Sequence, residues 1–205
     1  MKNIFLKTKG NFLRKPALCV LLCLLYAVTL FAAKTVTVQS GDISVIKKPS
    51  IALLEINFSN TKVGNETLDE YQTRRGKVII REWKAIMAST KTSLPKFFNS
   101  TNQKGMQLTT EAVEASYKFV IHVNEFYTGD SFSGTIAMMA NPFHISGKAG
   151  GALMKGTVDI IDMKTNNVVC RLDVNGIKGK GNMSFEYRFH SMFNYLAQTI
   201  CKIKK

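Results

Sequence analysis

Residues 153–174 read LMKGTVDIIDMKTNNVVCRLDV, two alternating apolar and polar runs joined by Lys164-Thr165-Asn166-Asn167. A period of two marks a strand with one buried face, and an Asn-rich turn between two such runs marks an antiparallel hairpin. The other elements order themselves around this hairpin. Upstream, Tyr117–Phe126 (YKFVIHVNEF) sets Tyr117, Phe119, Ile121 and Val123 on one face and Lys118, His122 and Asn124 on the other. Strict alternation also puts His122 and Glu125 on opposite faces. Ile51–Phe58 (IALLEINF) repeats the pattern, with Ala52, Leu54, Ile56 and Phe58 on its apolar side. Lys34–Lys47 reads as a further hairpin turning at Ser40-Gly41-Asp42. Residues 60–67 read as a polar loop, 102–108 as a connector and 176–181 as a basic, Gly-rich turn.

Between the strands the period changes to 3.6. Ile79, Trp83, Ile86, Met87, Thr90 and Leu94 recur at spacings of three and four, which predicts an amphipathic helix over about 76–100. Pro95 is expected to break or kink it, with Ser93 capping a short second piece. Arg74, Lys77, Arg81 and Lys84 fall opposite the apolar stripe. A closing helix from about Ser184 carries Phe185, Phe189, Met192, Phe193, Leu196 and Ile200 on one stripe, with Ser184 as its cap. One-sided strands with two amphipathic helices give an α+β fold, a mainly antiparallel sheet with both helices packed on one face.

The start of the chain is of a different kind. Lys2, Lys7, Lys9, Arg14 and Lys15 precede the uncharged run Ala17–Ala32, without an acid among them. This is the pattern of an N-terminal signal segment, and the run is short against the ~20 apolar residues of a spanning helix. Residues 1–33 are therefore read as a signal peptide cut after Ala32 or Ala33, or as an uncleaved anchor, and 34–205 as a single α+β domain. No membrane-spanning segment follows it. The destination is periplasmic or secreted. Without the five signal cations the chain holds 23 Lys and Arg against 14 Asp and Glu, a formal net charge of +9. Outside the cytosol such charge selects an envelope protein or an anionic surface, not nucleic acid.

Motifs of catalysis and ligation are missing. His122, His144 and His190 share no ligand spacing with each other or with Cys, Asp or Glu, so no metal site is expected. There is no nucleophile elbow, and Gly147-Lys148-Ala149-Gly150-Gly151 lacks the ending of a phosphate loop, so no cofactor is expected. Cys170 and Cys201 are a candidate disulfide. An oxidising compartment permits the bond, but Cys201 lies off the centre of its helix stripe and the helix end would have to rotate to reach Cys170. Ser131–Ser146 is uncharged and holds Ile136, Met138, Met139, Phe143 and Ile145. It reads either as a contact patch for a partner or as a hairpin folded back over the open sheet face.

Taken together, Ile51–Phe58, the long helix, Ala115–Phe126 and Gly156–Val169 with its Asp162-Met-Lys-Thr165 turn resemble the periplasmic domains related to the curli secretion channel of bacteria. In that family the loop between the middle strands can carry membrane-inserting hairpins. Here residues 128–151 are too few and lack alternation, and the lipid-anchoring cysteine is absent. The resemblance thus implies the fold and an envelope interaction role, not a pore. The function expected is that of an exported, non-enzymatic domain binding another envelope component through Ile136, Met138, Met139 and Phe143 and through Arg74, Lys77, Arg81 and Lys84. The alternatives are a small-ligand carrier with an apolar cavity, or an enzyme whose pocket gathers scattered groups such as His122 and Asp159.

Overall fold

The computed structural model describes residues 35–112, 115–127, 152–180 and 185–204. The expected hairpin of residues 153–174 forms as β7 (Leu153–Asp162) and β8 (Val168–Lys178), in antiparallel register with Val158 opposite Leu172. Asp162 shapes its turn by accepting from the N–H groups of Lys164 and Thr165 at 2.8 and 3.0 Å. β8 runs on through Gly176 to Lys178, into the turn expected over 176–181, because a register shift there absorbs the extra residue. β6 (Tyr117–Tyr127) pairs antiparallel with β7, and β2 (Ser50–Asn57) pairs parallel with β6.

Three sequence expectations give way upstream. Residues 34–47 do not close a hairpin. β1 (Val36–Gly41) instead pairs antiparallel with β8, and Ile43–Lys47 winds into a 3-10 turn, η1. The cause is Asp42, whose carboxylate accepts from the Ser44 N–H at 2.8 Å and from its hydroxyl. Residues 60–67 hold two short strands, β3 (Lys62–Val63) and β4 (Glu66–Thr67), with β3 parallel to β6. The connector over 102–108 contains an edge strand, β5 (Met106–Thr109), parallel to β2. Asn99 holds it, its amide bonding the Leu108 carbonyl and N–H at 2.9 and 2.7 Å.

The sheet order is β1-β8-β7-β6-β2-β5, with four antiparallel and three parallel pairings among the described strands. Parallel neighbours require a crossover, which the helices supply. α1 (Leu68–Arg75) starts at a capping box between Thr67 and Glu70. Gly76, at φ 85°, then separates it from α2 (Lys77–Thr101). α2 passes through Pro95 unbroken, since Leu94 and Phe98 beside it are both buried and their packing outweighs a local cost of ~3 kcal/mol. α3 (Phe185–Lys202) buries the expected stripe, with Phe189, Met192, Phe193, Leu196 and Ile200 in the core and Phe185 packed against it; Ser184 lies outside the described residues. α2 and α3 pack on one face: Phe98 lies edge-on to Phe119, Trp83 to Phe126, and Phe126 to Phe189. The fold is α+β, as expected.

One irregularity in β6 decides what each face carries. Val123 opposes Gly156 and Glu125 opposes Lys155, so Asn124 has no partner and forms a bulge. After it the alternation is offset by one. Phe126 returns to the core fully buried, and Glu125 comes to the same face as His122, contrary to strict alternation. The Val123 carbonyl at the bulge accepts from the Thr61 hydroxyl at 2.5 Å. Opposite it, a Cβ on Gly156 would collide with the His122 carbonyl oxygen and sit 3.3 Å from the Asn124 nitrogen. Gly156→Ala should therefore lower stability by about 1–3 kcal/mol, read as a fall in Tm of roughly 3–10 °C in a thermal melt. An unchanged melt would mean that β6 and β7 do not approach this closely.

Candidate functional site

The long apolar stripe of α2 leaves its other side to cations. Lys77, Arg81, Lys84 and Lys91 follow at steps of four, three and seven residues, on one exposed face about 21 Å long. Trp83, Ile86, Thr90 and Leu94 are the buried side. Among the described residues none of the four cations is ion-paired. Arg74 does not join them, contrary to the sequence reading. It lies in α1, beyond Gly76, where its guanidinium grips Glu66 through three contacts of 3.0–3.1 Å and lies 5.6 Å from the Tyr71 ring centre. Lys91 was missed in sequence, although its seven-residue step from Lys84 places it on the same face.

A second cluster lies on the sheet face away from the helices. Asp159, with a side chain 7% exposed, receives Arg171 in bidentate fashion at 2.6 and 2.7 Å, and His122 Nε2 stands 3.6 Å from its Oδ2. Hydrogen bonding to Asp159, and its charge, push the Arg171 guanidinium further above its already high pKa. His122 and Asp159 thus meet, as an enzyme reading requires. Yet both carboxylate oxygens are already held by the Arg171 guanidinium, the geometry of a structural ion pair. Glu55 with Lys118 at 3.2 Å and Glu125 with Lys155 at 2.8 Å continue the same face as compensated pairs.

A third feature is a groove of about 320 Å³ over α3, with Lys178 and Lys180 from the end of β8, Phe97 from α2, and Tyr187, Asn194 and Tyr195 among its lining. Tyr187 and Tyr195 are 40% and 48% exposed. His190 forms part of the wall, its two ring nitrogens 3.0 and 3.2 Å from the Ser89 and Ser93 hydroxyls of α2, with Glu186 3.7 Å away. It links the two helices. Most of its lining surface is apolar, with Lys178 and Lys180 the cations among the lining residues. Sequence reading named its parts only as a basic Gly-rich turn and a helix, since nothing local joins them.

Cys170 and Cys201 are free thiols, the first buried beneath the sheet and the second half-buried near the end of α3. Burial pushes Cys170 up to about 11, reinforced by the charges of Asp42 and Asp159; burial likewise takes Cys201 to about 11, against the opposing charge of Lys47. Among the described residues no group of His, Cys, Asp and Glu is placed to hold a metal ion, and no helix is long and apolar enough to cross a membrane. Ile136, Met138, Met139, Phe143, His144 and residues 147–151 lie outside the described residues, as do residues 1–34.

No protein-family model matches this chain, and no curated protein shows significant similarity to it. Among solved structures it is similar to the PelC dodecamer from Paraburkholderia phytofirmans in two crystal forms. A single-residue variant of that protein is 14% identical over 81% of this chain and 95% of its own, at a TM-score of 0.43. The other form is 12% identical over 83% and 99%, also at 0.43. At that distance the likeness assigns no role to any residue here.

The thiols supply a direct check. At pH 8 both remain protonated in the fold, so iodoacetamide should label the native protein slowly and the urea-unfolded chain quickly. Unfolded thiols, with an ordinary value of 9.0, lose protons between pH 9 and 11 while the native ones keep them. Stability should therefore be complete below pH 9 with respect to these groups and fall as pH rises towards 11. Rapid native labelling at pH 8 would contradict their burial.

Proposed function

We propose that this chain is exported and acts as a non-catalytic domain that docks on an anionic component of the cell envelope through the basic ridge of α2. The observation that carries this reading is the state of Lys77, Arg81, Lys84 and Lys91. They share one exposed helix face and, among the described residues, none of them has an ion-pair partner, whereas the cations of the outer sheet face are matched to acids. A row of uncompensated cations creates a positive field that an anionic surface relieves, with about 1 kcal/mol gained per Lys or Arg near such a surface. The charged start and uncharged run of residues 1–33 support export, and the net charge of +9 beyond it supports an anionic partner. The uncharged stretch holding Ile136, Met138, Met139 and Phe143 is a second contact in this reading, adding apolar insertion to the electrostatic one.

Co-sedimentation with vesicles tests it. The exported protein should bind phosphatidylglycerol vesicles and not phosphatidylcholine vesicles, and the binding should weaken as salt rises. Arg81→Glu with Lys84→Glu should weaken binding about 30-fold or more, the loss of two surface cations. Arg74→Ala should change it little, because Arg74 is engaged by Glu66. Equal binding to both vesicles, or an undiminished double variant, would overturn the assignment of the ridge.

A further inference from the structure

The groove over α3 gathers two lysines that no carboxylate answers among the described residues. The chain leaves β8 in extended form, with the Gly179 N–H donating to the Ala152 carbonyl at 2.7 Å and the Lys180 N–H to the Ser191 hydroxyl at 2.8 Å. A Cβ on Gly179 would collide with the Arg188 carbonyl, so the glycine lets this tail lie directly on α3. Residues two apart in an extended chain lean to the same side, and Lys178 and Lys180 both line the groove. Among the described residues neither is ion-paired, and no Asp or Glu lines the cavity. In sequence, Gly181-Asn-Met-Ser184 adds no charge.

The facing side of α3 is uncharged as well. Ser191, Asn194, Tyr195 and Gln198 border the groove, whereas α2 fills its exposed face with Lys and Arg. Tyrosine and amide side chains supply flat packing area and directional hydrogen bonds without charge. The wall at His190 is fixed in advance by Ser89 and Ser93. A volume of about 320 Å³ is at the small end of ligand pockets and suits a one- or two-ring molecule.

We propose that this groove binds a small anion, a carboxylate or phosphate carried on a flat ring. Lys178 and Lys180 hold the charge, Tyr195 packs against the ring, and Asn194 and Gln198 hydrogen-bond its polar substituents. The site is separate from the α2 ridge and does not depend on it.

Titration of the exported protein with 2-naphthoate and with its neutral isostere 2-naphthamide tests this. Naphthoate should bind at least about tenfold more tightly, since a charged partner adds a charge-assisted hydrogen bond. Lys178→Gln with Lys180→Gln should abolish that preference. Tyr195→Ser should weaken both probes alike, about threefold to tenfold. Comparison with 1-naphthyl phosphate then decides between the two anions, the tighter probe naming the class. Equal affinity for naphthoate and naphthamide would overturn the proposal. So would unchanged naphthoate affinity in the double lysine variant, or in Tyr195→Ser, each checked to melt as wild type.

Discussion

Phe189 is the contact on which the layered arrangement depends. It is fully buried, and the rings of Phe58, Trp83, Phe126, Phe185 and Phe193 all have centres within 6.3 Å of its own. These rings come from the end of β2, from α2, from β6 and from α3 itself, so one side chain ties both helices to the sheet. Edge-on and tilted aromatic pairs each add about 0.5–1.5 kcal/mol beyond the area they bury. Phe126 reaches this cluster only because the bulge at Asn124 offsets β6 by one residue. Without the offset its ring would face away from the helices, and the cluster would lose its anchor on the central strand.

With both helices on one side, the other face of the sheet is closed by charge compensation. Asp159 lies opposite Arg171 and Glu125 opposite Lys155 across neighbouring strands, while Glu55 reaches Lys118 along the diagonal. Each such pair reaches the solvent edge, where screening leaves it a small individual contribution. Their wider consequence concerns the remaining charge. Acids engaged on this face, or by Arg74 at the end of α1, are not available to the cations of α2 and of the β8 tail. Among the described residues the cations of the α2 ridge and of the β8 tail are thereby left without a carboxylate partner.

The parts of this fold that were legible in sequence are those with a long, regular period. Ile51–Phe58, Tyr117–Phe126, the 153–174 hairpin and the stripes of both long helices follow from alternation or from 3.6-residue spacing alone. The parts that were not legible turn on single side chains acting locally against the pattern. Asp42 winds η1 where β-branched residues suggested a strand, and Asn99 gives β5 its backbone partners where composition suggested a connector. Gly76 takes Arg74 off the α2 face, although a helical wheel drawn across it keeps all four expected cations together. The bulge undoes the alternation that separated His122 from Glu125. The groove was invisible for another reason, since its lining comes from three elements that only tertiary packing brings together.

The two basic features differ in what they can distinguish. The α2 ridge is convex, and its side chains stand in water, where charges more than a Debye length of about 8 Å apart scarcely feel each other at physiological salt. A ridge of this kind measures charge density and reads little of a partner's shape. The groove is concave, and low-dielectric walls around two cations focus the field into a small volume. Tyrosine and amide groups beside those cations then set conditions on size and hydrogen bonding that charge alone does not impose. An anion that satisfies the ridge by charge density therefore need not fit the groove. Conversely, a small ring-bearing anion carries too little charge to engage four cations spread over about 21 Å. By shape and charge the ridge suits an extended surface and the groove a discrete molecule, two different kinds of partner in the proposed reading, even though α2 contributes to both.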